Sequence, residues 1–172
     1  MLGLAVQGEA ILGVVYQPVT DKLYSGVIGQ GARLQCNKHS QELRVSEIDE
    51  PRQLSFVSSR SHRSEAVDKL IKELGIQRQS VSGSVGLKVG LIAEKKADLY
   101  VHMSDRSCAW DACAPEAIVR AAGGRFTDLA GAPFVYDGAD MRNRRGIIAC
   151  NAKSFDHVLP SIRAIGESMH LI

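Results

Sequence analysis

The pattern of apolar residues changes its period part-way along the chain, and that change limits the folds open to it more than any composition figure. Up to residue 36, apolar and β-branched residues fall in short runs, at 2–6, 10–16, 23–28 and 33–35. Turn-forming stretches separate them: Gln7-Gly8-Glu9, Pro18 to Lys22, and Gly29-Gln30-Gly31. Short runs divided in this way read as an antiparallel meander. Such a sheet buries one face and needs a second layer against it. Residues 37–52 are polar and contain Pro51, which reads as a linker.

Beyond the linker, strand and helix patterns alternate. A short strand at 54–58 precedes a helix at 65–74, where Val67, Leu70, Ile71 and Leu74 share one face. Ser64 can cap that helix and Gly75 can end it. A second helix is expected over 84–95, a strand over 98–103, and a further helix from Asp111. Residues 125–129 and 133–136 read as a hairpin around Ala130-Gly131, and 146–150 as a last strand. A final helix over 154–169 contains Pro160, which should kink or interrupt it. Alternation of this kind predicts a layered α/β/α sandwich with a mixed sheet, preceded by the antiparallel sheet. The expected division is 1–52 for the sheet and linker, and 53–172 for the α/β domain.

Composition enters by exclusion. A formal net charge of +2 gives no reason to expect nucleic acid, and Arg142, Arg144 and Arg145 read as a solvated cluster. No apolar stretch approaches the roughly 20 residues of a membrane span. The four cysteines, Cys36, Cys108, Cys113 and Cys150, lack zinc-ligand spacing. Reduced thiols in the cytoplasm are the expectation.

Four stretches could carry chemistry. Trp110-Asp111-Ala112-Cys113-Ala114-Pro115-Glu116-Ala117-Ile118 runs on to Ala121-Ala122-Gly123-Gly124. An Asp at a helix start accepts free backbone N–H groups, which fixes one carboxylate oxygen while the other can face a cation. Ser59-Arg60-Ser61-His62 lies where a strand enters a helix, a place where hydroxyls and N–H groups can bind phosphate. Ser82-Gly83-Ser84-Val85-Gly86-Leu87-Lys88 is a small-residue turn feeding a helix, with Lys88 adding a point charge. Ala97-Asp98-Leu99-Tyr100-Val101-His102 ends on a histidine that is partly charged near neutrality. Asp128 reads as structural, and Glu116 receives no role.

The Trp110 to Gly124 stretch resembles the second signature of the inositol monophosphatase superfamily, W-D-x-x-A-x-x-x-I-x-x-x-A-G-G. Its Cys-Ala-Pro-Glu variant is similar to the 3'(2'),5'-bisphosphate nucleotidase branch. The resemblance implies a Mg²⁺-dependent phosphomonoesterase in which Asp111 is both catalytic residue and metal ligand. It implies contacts from Ser59 and His62 to a nucleotide, with Ser84, Gly86 and Lys88 beside a second phosphate. His102 stands where some nucleotidases carry Arg. The substrate implied is adenosine 3',5'-bisphosphate, with an inositol phosphate as the alternative; no nucleic acid or membrane partner is implied, and a homodimer is allowed. The first signature, D-P-(I/L)-D-G-T, does not occur in these residues. The expectation is therefore the C-terminal half of such an enzyme, inactive by itself. A non-catalytic phosphate- or partner-binding remnant is the alternative of another class.

Overall fold

The computed structural model describes residues 1–60, 64–138 and 140–172. The meander forms in chain order: β1 (Leu2–Val6), β2 (Glu9–Gln17), β3 (Lys22–Val27), β4 (Gly31–Cys36) and β5 (His39–Leu43), all antiparallel neighbours. β5 corrects the sequence reading, which placed these residues in the linker. Its side chains are exposed except for Leu43, so it shows no apolar alternation. What makes it a strand is the tight turn before it, where Asn37 and Lys38 both take positive φ, 46° and 68°.

The remaining strands are β6 (Ser55–Ser59), β7 (Arg78–Ser82), β8 (Leu99–His102), β9 (Ser107–Cys108), β10 (Gly124–Thr127), β11 (Arg142–Asn143) and β12 (Ile147–Asn151). Five of them make a mixed sheet in the order β10-β12-β8-β6-β7, with β6 parallel to β7 and β8, and β12 antiparallel to β8 and β10. β9 and β11 pair separately. The helices are α1 (Glu65–Glu73), α2 (Val85–Ala93), α3 (Ala109–Ala121) and α4 (Phe155–Ser168). β7 was not foreseen because it is a polar, exposed edge strand.

Alternation along the mixed sheet sorts its residues between two cores. Val57, Tyr100, Phe126, Ile147 and Ala149 join α2, α3 and the meander residues Val15, Tyr24 and Leu34 in the first. Phe56, Leu99, Val101, Ile148 and Cys150 join α1 and α4 in the second. The layers therefore run meander, α2 and α3, mixed sheet, α1 and α4. Helix α3 lies directly on a row of paired glycines, Gly3, Gly13 and Gly26. A Cβ at Gly13 would stand 2.1 Å from the Ala114 carbonyl oxygen, and one at Gly26 2.7 Å from Ile118 Cα.

Two further expectations are corrected. Helix α4 is not interrupted at Pro160 but runs on through it, held by the buried side chains of Phe155, Val158, Ile162 and Ile165. The hairpin at 125–136 forms only its turn, where Asp128 Oδ1 accepts the Ala132 N–H at 2.8 Å. Residues 133–136 then leave the mixed sheet, and the Tyr136 N–H donates to the Gly8 carbonyl at 2.8 Å. Pro133 has no N–H to offer a ladder, and β10 finds its partner in β12. Among the described residues, no helix is long and apolar enough to cross a membrane.

Candidate active site

The strand ends of β6 and β8 and the first turns of α2 and α3 converge on one end of the helical layer. Val57 and Tyr100 face that layer, and by strand periodicity Ser59 and His102 lie on the same face. The Tyr100 and His102 rings are 6.5 Å apart at an interplanar angle of 24°. His102 and Ser59 are half-buried. His62 lies outside the described residues.

Asp111 is the third residue of α3, and its Oδ2 accepts the Cys108 N–H at 3.1 Å. This is the capping-box direction, a side chain reaching back to a helix-end donor. Oδ1 is left for a ligand among the described residues. Burial, and after it the charge of Asp111, raise the Tyr100 phenol above its ordinary value, so the carboxylate acts on that ring.

Lys88 comes from α2 and is 2% exposed. Its Nζ stands 4.7 Å from the Tyr100 ring centroid and donates to the Gly83 carbonyl. Burial lowers its pKa from 10.5 to about 8. Among the described residues no carboxylate pairs with it, so the positive charge is held by a ring face and a carbonyl alone. Cation–π contact compensates only part of the lost hydration.

The other expected contacts sort differently. Ser84 caps α2, its Oγ accepting the Leu87 N–H at 3.3 Å, and it is exposed. Gly86 faces the meander: a Cβ there would stand 2.6 Å from Met1 Sδ and 3.0 Å from Val15. Its missing side chain makes room for packing. Arg144 pairs with Asp140 at 2.8 Å on the surface, as a solvated cluster should.

Tyr100 and Asn143 escape the sequence reading, and Glu116 is named there without a role. Tyr100 could have been found, since it alternates with His102 on one strand face. Glu116 is buried in α3, accepting from Tyr136 Oη at 2.6 Å and from Arg120 at 2.9 Å. Burial raises its carboxyl above the usual range against the pull of those donors. Asn143 is buried too, and nothing in the sequence marks it.

Whether these residues fit a divalent cation can be tested on their donors. Asp111 fits as one hard oxygen ligand, anchored at one oxygen and open at the other. No group of three or more His, Cys, Asp or Glu among the described residues could hold a metal ion. The site thus supplies one ligand of such a shell, not a shell.

The architecture has counterparts among known proteins. The chain is 30% identical over 160 residues to 3'(2'),5'-bisphosphate nucleotidase 1 of Rattus norvegicus, which covers 87% of this chain and 49% of that protein. It is 33% identical over 135 residues to the 3'(2'),5'-bisphosphate nucleotidase CysQ of Escherichia coli K12, covering 78% and 52%. The solved inositol monophosphatase of Anabaena (Nostoc) superposes with a TM-score of 0.75 at 25% identity, over 94% of this chain and 64% of that one. The chain spans about half the length of the curated relatives it matches. Matching the family across residues 1–167, it belongs to the inositol monophosphatase family.

Proposed function

We propose that this chain is the C-terminal part of a Mg²⁺-dependent phosphomonoesterase of the bisphosphate nucleotidase type, releasing the 3'-phosphate of adenosine 3',5'-bisphosphate. The observation that carries the reading is Lys88, a buried ammonium without a carboxylate, at the same end of the helical layer as Asp111. A buried charge that the described residues compensate only in part, through a ring face and a carbonyl, suits an anion that arrives with the ligand. Nucleotidases among the relatives act on substrates with two phosphates, one more than a monophosphate offers. Four free thiols accord with a cytoplasmic setting.

In the reaction, water attacks phosphorus and the P–O3' bond breaks, leaving inorganic phosphate and a 5'-monophosphate. A bound Mg²⁺ supplies Lewis-acid polarisation of the scissile phosphoryl group. Asp111 holds a position for that ion. Lys88 neutralises the phosphate that is not cleaved, with the Tyr100 ring fixing the ammonium. Ser59, Ser84 and His102 border the ligand as hydrogen-bonding groups. The remaining cation ligands come from outside the described residues.

Likeness to the Anabaena enzyme keeps inositol monophosphate as a second substrate reading. The single carboxylate keeps a non-catalytic phosphate binder as a third. Phosphate release should be assayed with Mg²⁺ on the 172-residue chain, alone and fused behind the N-terminal half of the Escherichia coli nucleotidase. The expected result is negligible turnover alone, and bisphosphate hydrolysis by the fusion that Asp111→Asn abolishes. Robust turnover by the chain alone would contradict the need for outside ligands. Preference for inositol monophosphate would favour the second reading, and binding without turnover by the folded fusion the third.

A further inference from the structure

The β9–β11 ribbon stands beside the site without taking part in either sheet, and it is tied to the start of α3 by several bonds. Asn143 pairs with Ser107, and Arg142 with Cys108. The Ala109 N–H donates to the Met141 carbonyl at 2.8 Å. Asn143 is 6% exposed, and its Nδ2 donates to the Cys108 carbonyl at 2.8 Å and to Ser107 Oγ at 3.2 Å. Cys108 in turn donates its N–H to Asp111 Oδ2 at 3.1 Å. The residue that orients Asp111 is therefore itself held by a buried amide from a segment more than thirty residues away.

We propose that Asn143 is a positioning residue for Asp111, acting through the Cys108 backbone. The inference rests on the reading of Asp111 as a cation ligand. A ribbon of two residue pairs has little stability of its own, so a side-chain amide that bonds both of its partner residues decides where the α3 start sits. Without the Nδ2 donor, the Cys108 carbonyl and Ser107 hydroxyl lose a partner, and the 107–109 backbone is tied by the two-pair ribbon and the Ala109 to Met141 bond without the side chain that fixed its orientation. The Cys108 N–H then ceases to point at Asp111, and the carboxylate loses the orientation that a helix-end donor gives it.

The test uses the 172-residue chain, with Mn²⁺ as probe and the Trp110 indole and Asp111 amide as NMR reporters of its paramagnetic broadening. Asn143→Asp removes the donor at constant size; Asn143→Ala removes it without adding charge. Both should weaken the Mn²⁺ effect roughly 10–100-fold, as loss of a residue that orients a metal ligand does. Cys108 amide exchange should quicken about tenfold, on the scale of one lost hydrogen bond, while Val57 and Ile148 amides keep their protection. Unchanged Cys108 exchange and Mn²⁺ response in a folded Asn143→Ala chain would overturn the proposal. So would a loss of protection spread evenly over both sheets, which marks a residue that stabilises the fold and nothing more. Where the wild-type chain shows no Mn²⁺ broadening at Asp111, as a site with one ligand of a shell allows, Cys108 exchange alone decides the role of Asn143.

Discussion

A buried ammonium without a carboxylate partner destabilises the fold that contains it, and Lys88 is in that position. Its pKa falls from 10.5 to about 8 on folding. The folded state therefore binds its proton less tightly than the unfolded state does. Below about pH 8 both states are protonated and the full penalty is present; as pH rises from about 8 towards 10.5 the folded lysine becomes neutral and the penalty is relieved. At 1.36 kcal/mol per unit the penalty is on the order of 3 kcal/mol. Lys88→Met should accordingly raise stability to denaturant at pH 7 by about 1–3 kcal/mol, since a well-packed apolar replacement of a buried charge is often stabilising. That gain should shrink as unfolding is measured closer to pH 10. A Lys88→Met chain that is markedly less stable than wild type at pH 7 would mean that the cation stabilises the fold and is no reserve for a ligand.

At the scale of the elements, the contact between α3 and the meander rests on bare backbone. Gly13→Ala should destabilise by about 3 kcal/mol or more, at the upper end of overpacking costs, because neither a strand nor a helix backbone can step aside. Gly83→Ala, where nothing lies within 4 Å of the added Cβ, should stay within about 0.5 kcal/mol of wild type. Equal thermal shifts in the two variants would refute the close seat of α3. A second tie joins β3 to α2 through Glu94, which accepts from Tyr24 Oη at 2.6 Å and from Lys22 and Lys96. Burial alone would raise its carboxyl; the hydrogen bonds from Lys96, Tyr24 and Lys22 bring it below its ordinary value. The stability it contributes is present above the unfolded carboxylate range and is lost as pH falls through the lower folded value.

The elements legible in the sequence are those whose apolar period is strong. The first four strands, α1 with its Ser64 cap, and α3 follow from side-chain pattern alone. β5 and β7 do not, because both are polar edge strands whose existence depends on a neighbour's hydrogen bonds. Residues 133–136 differ from the expected strand because their aromatic pattern serves another purpose: Phe134 packs tilted against Phe126 and stacks on Tyr136 while the chain crosses to Gly8. In the site, Asp111 was marked by a long motif and Lys88 by its loop. Asn143 makes its contacts between distant segments, which no local pattern reveals.

For the molecule as a whole, the outward face of the meander stands open. Leu2 is 62% exposed, Leu4 and Val6 49% each, and Tyr16 51%. With β1 at the sheet edge, this is an apolar surface next to unpaired backbone groups, a combination that invites association. The purified chain should bind a hydrophobic dye and show concentration-dependent association by light scattering, which Leu4→Lys reduces. A strictly monomeric, dye-silent chain would show that this face is stable in water.

The proposal that Lys88 seats an anion is most directly tested by calorimetric titration of the chain with adenosine 3',5'-bisphosphate and with inositol monophosphate, before and after Lys88→Met. Losing one partner of a buried charged contact typically costs about 2–5 kcal/mol. The bisphosphate should therefore lose at least about tenfold in affinity, at roughly 1.4 kcal/mol per tenfold, and the monophosphate much less. Affinity of the wild-type chain for the bisphosphate should also fall as pH rises through about 8, where Lys88 gives up its charge. Equal losses for the two ligands, or bisphosphate affinity unchanged by both the substitution and the pH, would contradict the assignment of Lys88 as the seat of the second phosphate.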